Sequence, residues 1–98
     1  MTAYWIAHVD IADVERYNQY TQRTPQAIAA FGGKFLARGG RSEAMEGRDT
    51  PQRTVIIEFE SYEQAVACYR SAAYQEARRY REEWARAEII IVEAFTPI

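Results

Sequence analysis

Hydrophobic and polar positions change rhythm several times along the chain. From Tyr4 to Val9, "YWIAHV" is dense in the aromatic and β-branched residues that suit a pleated strand, and Asp10 to Asp13 break it. Asp13 is a good helix N-cap, and Val14, Tyr17, Thr21, Ile28 and Phe31 then recur at multiples of three and four residues, the spacing of one helical face. Pro25 falls inside this helix and lacks the N–H that would reach back four residues, which predicts a kink near Thr21 or a restart with Thr24 as cap. Gly32 and Gly33 stop the helix, because glycine takes the positive φ of a helix end without a Cβ clash.

A second strand begins at Lys34. The segment "EGRDTPQR", residues 46–53, has the Gly, Asp and Pro of a surface turn and leads into a third strand, "TVIIEFE", so these two strands form a hairpin. Ser61 and Gln64 have capping-box spacing, Ser71 is placed to cap a further helix, and Ala73, Ala77, Tyr80, Trp84 and Ala87 make an apolar stripe. A second helix, broken near Ser71, follows from that pattern. "EIIIVEAF", residues 88–95, is the fourth strand, and its apolar run implies cover on both faces. The order β-α-β-β-α-β, without internal repeat, is that of a ferredoxin-like α+β sandwich: one four-stranded antiparallel sheet with its helices on one face. Odd and even strand positions are both apolar, so the helix-free face also needs cover. A second copy of the chain is the simplest cover, closing the pair into a dimeric α+β barrel.

Length and charge narrow the function. Ninety-eight residues make a single domain over 1–98. Twelve basic and 14 acidic residues give a net charge of −2 without the basic stripe that a nucleic-acid groove needs, so nucleic acid is not an expected partner. The apolar runs fall far short of the roughly 20 residues of a membrane span, and "MTAYWIAHVD" lacks the basic start of a secretory signal. Cys68 alone forms no intrachain disulfide, and a cytoplasmic location fits. One His, one Cys and scattered carboxylates give no metal-ligand spacing, and no glycine pattern marks a nucleotide cofactor, so none of either is called for.

Candidate chemistry begins at "GGKFLARGG", residues 32–40, where Arg38 stands between two glycine pairs. A guanidinium fork suits a carboxylate or phosphate, and Gly39 and Gly40 allow close backbone approach to a ligand. The alternative is a bulge at these glycines, with Arg38 paired to an acidic neighbour such as Glu58. Tyr69 and Tyr74, near the break at Ser71, and Arg81, beside the apolar stripe, are placed to line a pocket mouth; as ordinary structure, Arg81 would lie over the stripe and the tyrosines would be core. Strand alternation puts His8 and Glu58 on matching faces of adjacent strands. There a carboxylate would orient an imidazole for acid/base work, or the two would form a plain polar pair. Cys68 reads as a small buried hydrophobe.

Four ordered motifs carry a resemblance: "GGKFLARGG", "EG" at Glu46 and Gly47, "VIIEFES" from Val55, and "YRSAAYQEARRYR" from Tyr69. Together they resemble the bacterial domain-of-unknown-function family 1330 over nearly the whole chain. Glu60 stands where that family's pattern has proline, and Cys68 where it has tryptophan. The resemblance implies a dimeric α+β barrel. Three functions fit: a homodimer binding a small anionic or polar molecule near Arg38; a cofactor-independent monooxygenase or isomerase using His8 and Glu58; and an interaction module without a pocket.

Overall fold

Strict alternation sorts the first strand. In the computed structural model, which describes residues 1–97, strand β1 (Ala3–Ile11) buries Ala3, Trp5, Ala7 and Val9, while Tyr4, Ile6 and His8 between them are only half-buried. Strand β3 (Arg53–Phe59) repeats the rhythm with Val55, Ile57 and Phe59 inward. Both follow from the two-residue period of the pleat. β1 pairs antiparallel with β3 on one side and with β4 (Ala85–Glu93) on the other. β2 (Lys34–Arg38) lies antiparallel outside β3, giving the sheet order β2-β3-β1-β4.

Three helices pack on the inward face: α1 (Val14–Ala30), α2 (Tyr62–Arg70) and α3 (Ala72–Arg78). The fold is therefore the ferredoxin-like α+β sandwich, its second helix divided at Ser71. That division is capped: Ser71 accepts from the Tyr74 N–H at 3.1 Å and donates to the Cys68 carbonyl at 2.7 Å. Asp13 and Ser61 cap α1 and α2, taking the N–H groups of Arg16 and Gln64 at 3.0 Å each. Gln64 sends its own amide to the Phe31 carbonyl, tying the start of α2 to the end of α1. At that end Gly32 adopts φ +77°, and the N–H groups of Gly32 and Gly33 return to Ala29 and Ile28 at 3.0 Å each, closing the helix as a Schellman motif. Trp5 centres the core. Its ring meets Tyr74 edge-on at 4.9 Å and lies 6.1 Å from Phe59.

Two expectations are corrected. The helical stripe does not continue through Tyr80, Trp84 and Ala87: α3 stops at Arg78, tight turns carry residues 79–84, and β4 already runs from Ala85. Positions 80, 84 and 87 fit helical spacing while 85, 87, 89 and 91 fit the two-residue period of a strand, so the two patterns overlap there. Nor does α1 restart at Thr24. It runs as one helix from Val14 to Ala30, with Thr24 buried within it rather than capping a restart.

The acceptor that Pro25 leaves open is met from β2. Pro25 offers no N–H to the Thr21 carbonyl, and the Arg38 Nη2 donates to that carbonyl at 2.9 Å instead. The guanidinium also lies over the Phe35 ring, 4.5 Å from its centroid. Arg38 thus supplies, from 17 residues away, the donor that proline removes. Arg38→Ala should cost about 1 kcal/mol in urea denaturation, and most of that cost should vanish when Pro25→Ala restores the helical N–H. Equal costs in the two backgrounds would show that the contacts are unconnected.

Candidate functional site

The turn after α3 delivers Arg81 beneath the helices. The residue is 6% exposed, and its Nη2 donates to the Tyr74 hydroxyl at 3.3 Å. The guanidinium carbon sits 5.2 Å from the centre of the Tyr20 ring, and the Tyr20 and Tyr74 hydroxyls lie 2.7 Å apart. Among the described residues no carboxylate stands within 4.0 Å of Arg81. Burial pulls its pKa down, but the phenol oxygens of Tyr74 and Tyr20 outweigh that pull and leave it raised. The guanidinium stays charged. Burial, with Tyr74 alongside, pushes the Tyr20 phenol well above its ordinary value of 10.0.

Two more arginines reach the same space. Arg53 opens β3 on the parity of Val55 and Ile57, so the pleat turns it toward the helices, where its guanidinium carbon lies 5.8 Å from the Tyr17 ring centre. Burial raises the Tyr17 pKa, and the Arg53 charge opposes that rise only in part. Gly39, at φ +78°, passes directly over Arg53: a Cβ there would fall 2.6 Å from the Arg53 Nη1. Arg38 comes in from β2. Arg38, Arg53 and Arg81, with Tyr17, Tyr20, Tyr74, Thr21 and Thr24, are among the polar residues lining a cavity of about 30 Å³ between helices and sheet.

A larger groove of about 480 Å³ opens along β4 outside this cavity. Its floor is Ala87, Ile89 and Ile91; Tyr62, Val66 and Tyr69 come from α2, and Arg70, Arg78 and Arg81 complete the wall. Arg78 is also paired with Glu82 at 2.9 Å. Arg81, Ala87 and Ile89 border both groove and cavity.

The expected site residues are thus divided. Arg81 belongs to both spaces, Tyr69 to the groove, and Tyr74 and Arg38 to the cavity. Gly39 and Gly40 line neither; Gly39 makes room for Arg53, and Gly40 has open space around it. The bulge in β2 lies between Phe35 and Ala37 rather than at the glycines. Arg38 meets a carbonyl and not Glu58, which faces the other side of the sheet opposite Tyr4 and Lys34.

His8 and Glu58 share a face without meeting. The register sets His8 opposite Thr54, whose hydroxyl lies 3.3 Å from the His8 Nδ1, and sets Glu58 opposite Tyr4. Four strand positions separate the two, roughly 13 Å. On its other side His8 is paired with Glu88, whose carboxylate is held by Arg48 together with Asp10. Among the described residues no three His, Cys, Asp or Glu side chains gather as a metal site would require, and no helix is long and apolar enough to cross a membrane. Arg53, Tyr17 and Tyr20 were not singled out by sequence reasoning. The available signal was parity: stepping back by twos from Ile57 puts an arginine on the core face.

Known proteins give this geometry a setting. The model of a family described as "Domain of unknown function (DUF1330)" matches residues 2–95. No curated protein matches the sequence. Among solved structures, a protein of unknown function from Rhodopseudomonas palustris superposes with a TM-score of 0.78 at 18% identity, covering 98% of this chain and 84% of that one. SnoaB, a cofactor-independent oxygenase from Streptomyces nogalater, gives 0.69 at 9% identity over 99% and 96% of the two chains. A dimeric protein of unknown function with a ferredoxin-like fold from Bacteroides fragilis gives 0.65 at 10% identity over 95% and 96%. At these identities the likeness is one of fold.

Alkaline pH tests how deeply the layer is sealed. Burial lifts the Cys68 thiol from 9.0 to about 11, and it raises Tyr17 and Tyr20 above 10.0. In each case the fold favours the protonated form. Stability is therefore complete below the unfolded pKa and is lost as pH rises through the folded one, by up to roughly 1.4 kcal/mol per pH unit for each group. The melting temperature should fall from about pH 9 upward, and Cys68→Ala should flatten the first part of that fall. A melting temperature constant to pH 11 would contradict the burial described.

Proposed function

We propose that the chain, which belongs to the DUF1330 family, is a homodimeric cytoplasmic protein that binds a small organic anion in the groove between its helices and β4. The observation that carries this reading is the groove's wall. Arg70, Arg78 and Arg81 contribute guanidinium groups to it, no Asp or Glu lines it, and its floor is apolar. A carboxylate or phosphate on such a wall gains fork-shaped, charge-assisted hydrogen bonds. An attached apolar body would lie on Ala87, Ile89, Ile91 and Tyr69. The volume of about 480 Å³ falls in the roughly 300–1,000 Å³ typical of small-molecule sites. Arg81 is held in place by Tyr74, so it would meet the ligand already oriented.

Pairing with a second copy is supported by the helix-free face. Ile90 is 61% exposed and Val92 44%, beside the half-buried Tyr4, Ile6 and Ile56. A contiguous apolar sheet face of this kind favours self-association, and the Bacteroides fragilis neighbour is described as dimeric. Acid/base catalysis through His8 and Glu58 lacks comparable support, since the register holds the two apart.

Thermal denaturation with a panel of aromatic and aliphatic carboxylates and phosphates tests the groove. A true ligand at a hundred times its Kd adds about 2.7 kcal/mol of stability, roughly a 10–20 °C shift in a domain of this size. Arg70→Ala with Arg78→Ala should weaken that ligand at least tenfold, while Arg16→Ala on α1 should not. A panel that leaves the melting temperature unmoved defeats the reading. For the dimer, sedimentation should give two chains per particle, and Ile90→Lys should give one; a wild type that sediments as a monomer at micromolar concentration rules it out.

A further inference from the structure

The small cavity under the helices is separable from the groove, and we propose that it is a buried binding site for one compact monoanion. Donors there outnumber acceptors. Among the described residues, the only buried side-chain nitrogens or oxygens that meet no hydrogen-bond partner are the Nε atoms of Arg53 and Arg81, and both residues line this one cavity. Each Nε carries an N–H, and an N–H buried without an acceptor is destabilising, the more so on a charged group. The phenols add to the surplus. Between the Tyr20 and Tyr74 hydroxyls, 2.7 Å apart, only one hydrogen is used, which leaves the other O–H free to donate.

Charge points the same way. The lining residues of the cavity include Arg38, Arg53 and Arg81 but no aspartate or glutamate. Arg81, at 6% exposure, is too buried for solvent to neutralise it, and a desolvated guanidinium without a countercharge is strongly unfavourable. A water molecule could accept from one Nε–H but would bring no countercharge. A monoanion is an acceptor on every side and supplies that charge. The volume, about 30 Å³, has room for one chloride or bromide, or for the carboxylate head of an organic acid whose body crosses the shared border of Arg81, Ala87 and Ile89 into the groove. In both sources the chemistry is a single negative charge bound by arginine N–H and tyrosine O–H groups. This inference does not depend on the groove's ligand, because its support comes from Arg53 and the unpartnered Nε atoms.

The test compares melting temperatures at fixed ionic strength with gluconate, chloride, bromide, formate or acetate as the anion. Gluconate is too large for the cavity and serves as the reference. We expect a saturable rise of several degrees with chloride and bromide, lost in Arg53→Lys, which keeps a charge but has no Nε–H, and lost in Arg53→Met. The Arg70→Ala, Arg78→Ala double variant should keep the rise, which separates this site from the groove. Stabilisation by formate and acetate alone, with the same loss at Arg53, identifies a carboxylate as the occupant and also supports the site. Coincident curves for every anion, or a rise that survives both Arg53 variants, overturn it and leave the cavity to water. Should both Arg53 variants fail to fold, broadening of the chloride NMR signal by the wild type, displaced by bromide but not by gluconate, replaces them; an unbroadened signal together with no carboxylate effect counts against the site.

Discussion

The two-residue period of the pleated strand is the constraint from which the rest follows. Each strand must send alternate residues to opposite faces, and the helices lie on only one of them. Parity therefore decides the location of every strand side chain. It gathers Trp5, Val55, Ile57 and Phe59 into the core, and it carries Arg53 into the same layer although nothing about arginine favours that address. It also leaves Ile90 and Val92 on the face without helices, where a hydrophobic residue gains nothing unless another surface covers it.

The interior of the helical layer is a compromise between packing and charge. Rings of Trp5, Phe59, Tyr69 and Tyr74 fill one part of it in close contact. At its border the guanidinium groups are met by phenol hydroxyls, a carbonyl and ring faces, with no opposite charge among those partners. A domain selected for stability alone would do better with aliphatic residues in these places.

Much of the architecture was legible because its signals are local. Caps at Asp13, Ser61 and Ser71, the stop at Gly32 and the alternation of the first and third strands each depend on a few consecutive residues, and together they give the element order. What escaped depends on residues far apart. The glycines after Arg38 read as room for a ligand, whereas Gly39 yields to Arg53, 14 positions on. The repair of Pro25 by Arg38 has no signature in either neighbourhood. Register was equally hidden: whether His8 faces Thr54 or Glu58 is fixed by how the long connection between β2 and β3 delivers the third strand. Of the phenols that surround Arg81, the sequence singled out Tyr74 but not Tyr20, because Tyr20 and Tyr74 lie 54 residues apart.

The position of β1 has a consequence for how the chain comes to be folded at all. This central strand is made early, yet its two neighbours come late: Val9 waits for Arg53, and Ala3 for Glu93. Until β4 emerges, one edge of β1 remains open, with unpaired N–H and C=O groups ready to join any other extended segment. Closing loops of that length before any reward is collected slows the search for the native arrangement. During synthesis β1 therefore waits for β4 before its second edge is paired, and a nascent chain halted before Ala85 would leave open the very strand on which the sheet is centred.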